Sequence, residues 1–337
     1  INSIRGDFIS NNATASYGLV AGGAISNNSD SVINSITGNF IKNTATPKNL
    51  YGAGGAIFNS QATKANADNG YIGSISGNFI ENGVYSAGTV SNYSPFAYGG
   101  AICNDGEIGN VDGYFSGNYA VSEISQAIGG AISSIGKIDN ISGTFVNNYT
   151  KADNSNSIGG AIAIQSPTQS IKADFIGNHT ESANFSAQGG AIYVVNSLDT
   201  LEGNFYNNYS KSENSASTSG GAINNIGTIE NANANFVSNY TESANGTTGG
   251  GALYNAGTIK NIKGDFKNNS VYGKNAGGAG GAVWNTGSGD ITFTNSNFID
   301  NQVKTDDSET TVRGGAIYNA GEIKINAING QSLFKGN

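Results

Sequence analysis

The chain has 337 residues, of which 50 are Gly and about as many are Asn, with 37% hydrophobic and only 12% charged residues. No apolar stretch approaches the ~20 residues of a membrane-spanning helix, and a net charge of -8 argues against a nucleic-acid-binding surface. A single Cys, Cys103, and a single His, His179, exclude internal disulfides and thiolate metal clusters, along with most hydrolytic triads and multi-His metal sites.

Read from the start, Ile1-Asn2-Ser3-Ile4-Arg5-Gly6-Asp7-Phe8 returns as Ile33-Asn34-Ser35-Ile36-Thr37-Gly38-Asn39-Phe40. The chain opens inside a repeating unit and stops inside one, at Phe334-Lys335-Gly336-Asn337, with no polar cap at either end. The expectation is one repeat array over 1–337, part of a longer protein.

Two motifs alternate along that array. Gly-Gly-Ala followed by Ile, Leu or Val occurs ten times, and Phe-x-x-Asn eleven times. From Gly99 to Gly280 the first motif recurs at spacings of 30, 30, 30, 31, 30 and 30 residues, the metre of stacked supersecondary units. Within a unit, apolar residues such as Ile141 and Phe145 alternate with polar ones, with Gly143 between them, as in a half-buried strand; Gly and Asn interrupt any helical period. For the unit 129–158 the pattern predicts three short strands, near 131–134, 137–142 and 144–147, followed by a polar loop of about nine residues.

This content predicts an all-β fold: a right-handed single-stranded parallel β-helix of about ten coils of ~30 residues, a rod of roughly 50 Å at the spacing of paired strands. In such a coil Phe115, Phe145, Phe175, Phe205, Phe236 and Phe266 stack as an interior column. Asn118, Asn148, Asn178, Asn208, Asn239 and Asn269 form an amide ladder at a corner. The pairs Gly129–Gly130, Gly159–Gly160 and Gly189–Gly190 supply a turn where positive φ is tolerated.

The paired motifs, for example Gly99-Gly100-Ala101-Ile102 with Phe115-Ser116-Gly117-Asn118, resemble the signature of the chlamydial polymorphic outer-membrane proteins over the whole chain. Those are autotransporter-type surface adhesins with β-helical passengers. The resemblance implies type V secretion, an extracellular or bacterial cell-surface location and attachment to host cells.

Candidate functional residues lie where the metre breaks. The distance from Gly54 to Phe79 is 25 residues against a standard 16, and from Phe79 to Gly99 it is 20 against 14. If there is a specific site, it falls on the insertions 60–72 and 83–98, the second of which carries Tyr85, Tyr93, Phe96 and Tyr98. A further extension, Lys304 to Arg313, precedes Gly314. The residue after each motif aliphatic points away from the core, and that column gathers Tyr254, Trp284 and Tyr318 toward the C-terminal end. Such rings serve either as a binding patch or as self-packing beneath a loop. His179 occupies the place of Tyr149 and Tyr209 in neighbouring units, which makes it one rung of an aromatic stack rather than a catalytic base.

Parallel β-helices include polysaccharide lyases and hydrolases, whose chemistry needs convergent carboxylates. Asp174 and Asp265 have no acidic neighbour in register, and Asp306, Asp307 and Glu309 sit in a loop. The expected function is therefore a non-enzymatic adhesin segment without metal or cofactor. Its partner would be a host-cell receptor, a glycan or another surface. The alternative is a stalk, sheath or filament subunit whose copies stack end to end, with a polysaccharide-active enzyme third.

Overall fold

A computed structural model of the chain describes residues 1–16, 18–62, 68–87, 95–214, 217–328 and 330–337. Each unit contributes to four parallel sheets, here A to D. In the unit 129–158 the strands are Ile132–Ser134 in sheet D, Lys137–Val146 in sheet A, Tyr149–Ala152 in sheet B and Ser157–Ile158 in sheet C. Each pairs in register with its equivalent one unit later: Ile132 with Ile162, Phe145 with Phe175, Tyr149 with His179 and Ile158 with Gln188. The chain is thus an all-β parallel solenoid of about ten turns of ~31 residues. No helix occurs among the described residues.

The strand boundaries differ from the sequence expectation in two ways. Segments 137–142 and 144–147 form one strand, 137–146, because Gly143 takes a φ of 119° and stays in the ladder. The nine-residue polar loop is largely strand: 149–152 and 157–158 are paired, and only 153–156 turn. Their inward side chains are small and polar, such as Thr150 and Ser157, so hydropathy does not mark them.

The main core lies between sheets A and D, where Ile and Phe columns are fully buried. The Phe rings of successive coils stack nearly parallel at 4.6–5.1 Å, the rise of one strand. Behind each Phe, the residue before the motif Asn takes a left-handed conformation that turns the chain from sheet A into sheet B, as at Asn147, Gly177 and Asn207. From Asn43 to Asn301 the Asn then points inward and is completely buried; Asn11 and Asn337, at the two ends of the ladder, are exposed. Asn208 shows the wiring: its amide donates to Asn239 Oδ1 at 2.9 Å and to the Phe175 carbonyl at 3.0 Å. Its Oδ1 accepts from the Asn178 backbone at 2.9 Å and side chain at 3.0 Å. Two donors and two acceptors are all used, and only a column of identical residues allows that at every coil.

Sheets C and D meet at the Gly-Gly pair, and the two glycines serve different needs. The first has φ of 60–66° in every copy, as at Gly129, Gly159 and Gly189. The second has no room for a side chain. A Cβ on Gly190 would stand 2.1 Å from the Gly221 carbonyl oxygen and 2.4 Å from that of Tyr209, on sheet B. The interior is pinched there into a large A–D lobe and a small B–C lobe, the latter filled by residues such as Ala45, Val84, Ala97 and Ala120.

A candidate binding groove between sheets C and D

Because the chain bends sharply at each Gly-Gly pair, the outer faces of sheets C and D look toward each other. The last residue of each C strand and the middle residue of each D strand point away from the main core, yet most are buried against one another and most of the rest, chiefly the tyrosines and Trp284, are half-buried. The contacts across this angle repeat up the rod. Ala53 packs with Phe58 and Cys103, and Ile128 and Ile158 pack with Ala163. The Asn224 amide donates to Ser219 Oγ at 2.7 Å, and Arg313 lies over the Tyr318 ring at 5.7 Å. The result is a concave groove running parallel to the axis.

Residue size is exchanged across much of the groove, though Gln188 with Tyr193 and Arg313 with Tyr318 are large on both sides. Where the C-strand position is large, as at Tyr98, Ile128 and Ile158, the facing D-strand residue is small: Cys103, Ser133 and Ala163. Toward the C-terminal end the order inverts, with Gly249 and Ala279 facing Tyr254 and Trp284. The Trp284 ring occupies the space above Gly249 that a Cβ would take, 2.0 Å from its Cε3. Tyr254, Trp284 and Tyr318 contact edge to face at 5.4 and 5.8 Å, and all three are half-buried. Tyr193 continues this column toward the N-terminus, beside Tyr254 in a recess of the same groove.

At the N-terminal end the groove deepens into a cavity of about 530 Å³. Tyr51 and Tyr98 form two walls at 84° with centroids 6.4 Å apart, and Phe96 stacks on Tyr98 at 5.5 Å. Gln61, Gln126, Cys103 and Asp105 also line it. Burial raises the Asp105 carboxyl above the ordinary carboxylate value, against the lowering effect of the Cys103 thiol 3.6 Å away. Burial, helped by the charge of Asp105, pushes the Tyr98 hydroxyl up to about 12. The Cys103 thiol is raised well above its usual value by burial and is held as the neutral thiol.

The long loops border this groove. The first insertion leaves sheet D after Asn59 and returns at Gly70, whose amide donates to the Ser60 carbonyl at 2.8 Å. The second lies between Ser86 and Ala97 and delivers Phe96 to the cavity, next to Tyr98 of the C strand that follows. The extension before Gly314 places Thr310, Thr311 and Arg313 beside Trp284 and Tyr318. Residues 63–67 and 88–94, including Tyr93, lie outside the described residues.

Of the sequence-predicted binding residues, the structure brings Phe96, Tyr98, Tyr254, Trp284 and Tyr318 to one groove. Tyr85 is not part of it. It belongs to the ordinary B strand Gly83–Ser86, faces solvent and donates to Glu123. Tyr98 belongs to an ordinary C strand rather than to the insertion, since Ala97 and Tyr98 pair with Ala127 and Ile128. Tyr51 and Asp105 were not anticipated. Their signal is positional: Tyr51 lies just before a C strand and Asp105 just after a D strand, the two rims of the groove.

The other ionisable candidates have structural partners. His179 stacks between Tyr149 and Tyr209 at 5.2 and 4.6 Å, and burial lowers its basicity. Asp174 accepts from the Asn204 backbone and side chain, and Asp265 pairs with Lys267 at 2.6 Å. Among the described residues no group of three His, Cys, Asp or Glu side chains could hold a metal ion. Comparison with known proteins gives no counterpart: no family model, curated protein or solved structure matches the chain.

Proposed function

We propose that this chain is a segment of a bacterial surface or secreted adhesin of the autotransporter-passenger type, and that it attaches through the groove between sheets C and D. The observation that carries the reading is a convergence: the half-buried aromatic rings and the described ends of the long loops meet along one concave face. The sheet A side, by contrast, offers exposed polar ladders such as Asn39 to Asn78 and Asn204 to Asn235. Half-buried Tyr and Trp offer large, rigid contact area to a host-cell receptor, a glycan or another surface. The segment acts without catalysis or a cofactor, and repetition of the coil serves to hold the groove out from the cell.

The test is binding of the purified chain to epithelial cells and to a glycan array. Beside it would be one variant with 60–72 and 83–98 shortened to the standard unit and another carrying Trp284→Ala with Tyr254→Ala. Loss of binding in either variant, with the fold intact by circular dichroism, supports the reading. Binding by neither variant nor parent favours the alternative, a stalk or filament subunit, which sedimentation over a range of concentrations would then reveal as polymers.

A further inference from the structure

The N-terminal cavity has a chemistry that the rest of the groove lacks. Its walls are aromatic, with Tyr51 and Tyr98 set nearly at right angles and Phe96 stacked behind. It holds one half-buried carboxylate, Asp105, which receives a single weak donor, the Cys103 thiol at 3.6 Å. No Lys or Arg among the described residues forms an ion pair with it. A carboxylate taken partly out of water either takes up a proton more readily or is stabilised by a cation brought beside it.

We propose that this cavity binds a quaternary ammonium group, held over the faces of Tyr51 and Tyr98 and neutralising Asp105. The proposal deepens the adhesin reading by naming a ligand class for one part of the groove. Charge complementarity selects a cation, and the aromatic walls select one that needs no hydrogen-bond acceptors. A trimethylammonium group spreads its charge over methyl surfaces and is attracted by the negative faces of aromatic rings, most strongly where water is excluded. A primary ammonium is a compact, strongly hydrated charge with three donors to satisfy, and it gives up more hydration than a trimethylammonium group to lie against aromatic faces.

The experiment titrates the full chain with choline, with its uncharged isostere carrying a tert-butyl group in place of trimethylammonium, and with an N-acetylated lysine amide, each followed by ligand-observed NMR. Choline is expected to bind about tenfold or more tightly than the isostere. Asp105→Asn should remove that preference while leaving isostere binding unchanged, and Tyr98→Leu should weaken choline binding by a similar factor. Unchanged thermal midpoints in both variants would show that the fold survives. Equal binding of choline and isostere, binding of neither, or an unaffected Asp105→Asn variant would overturn the proposal. Tighter binding of the lysine amide would overturn the quaternary assignment. Cell attachment is measured separately, so a failed adhesin reading leaves the choline result intact.

Discussion

The corner between sheets A and B and the groove between sheets C and D are built from the same repeat and obey opposite rules. At the A–B corner one residue type recurs coil after coil, Phe at one position and Asn three residues on. A stack of rings or an amide ladder works only when each rung matches the next, so a substitution harms three coils at once. In the groove the equivalent column runs from Phe58 through Cys103, Ala163 and Tyr193 to Trp284. There the packing partner is a residue of the same or an adjacent coil across a shallow angle, and size lost on one side is made up on the other. Identity is needed where coils are coupled; complementarity suffices where the chain faces outward. That leaves the groove free to acquire a ligand chemistry.

The largest test of this contrast is Gly190→Ala. The new Cβ would meet two carbonyl oxygens at 2.1 and 2.4 Å, both backbone and unable to withdraw. The expected loss exceeds about 4 kcal/mol, read as loss of a cooperative transition in urea. Retention of wild-type stability would mean that the pinch between sheet B and the Gly-Gly corner is not real. Next, Phe205→Ala should cost about 3–5 kcal/mol by opening a cavity inside the ring column. A loss under about 1 kcal/mol on the same urea titration is incompatible with a fully buried Phe205.

On the groove side, Trp284→Ala should lower stability by only about 1–2 kcal/mol, since part of that ring is already in water. Its main effect should appear in attachment. A destabilisation as large as that of Phe205→Ala would mean that groove and core are energetically alike, and the comparison would fail.

The smallest effect concerns His179, a single exception within the B-sheet aromatic column. Burial lowers its folded pKa below the ordinary 6.5, so the unfolded chain takes up the proton first. Stability from this group is complete above 6.5 and declines as pH falls through and below that value. His179→Tyr, which restores the residue of the neighbouring coils, should abolish that decline. Urea midpoints of the two proteins should therefore diverge on acidification, with the variant the more stable; parallel curves would show that His179 charges freely in the fold.

Much of the fold was legible in the sequence because the ladders demand identity at a fixed period. Phe-x-x-Asn announces the corner, and Gly-Gly-Ala announces the turn. What could not be read from hydropathy was the B–C lobe. It is so narrow that Ala, Ser, Thr and a few Val fill it, and its strands look like a polar loop. The groove was half legible. Its aromatic column stood out, but Tyr85 seemed equivalent to Tyr98 because both lie in one stretch of irregular metre. Only pairing register separates them, Tyr85 opposite Val121 on sheet B and Tyr98 opposite Ile128 on sheet C.

By itself, then, the sequence determined the period, the parallel coil and the identity of the interior columns, because each follows from like residues stacking on like at the strand spacing. Gly-Gly-Ala marked the turn between sheets C and D, but only the tertiary structure showed that it closes their outer faces on each other. It is the pinch of Gly190 and its equivalents against sheet B that folds those two faces together, setting Tyr51, Tyr98 and Asp105 around one cavity although they come from successive coils and opposite rims. That arrangement depends on where backbone approaches backbone across the interior, a distance no local pattern of side chains encodes.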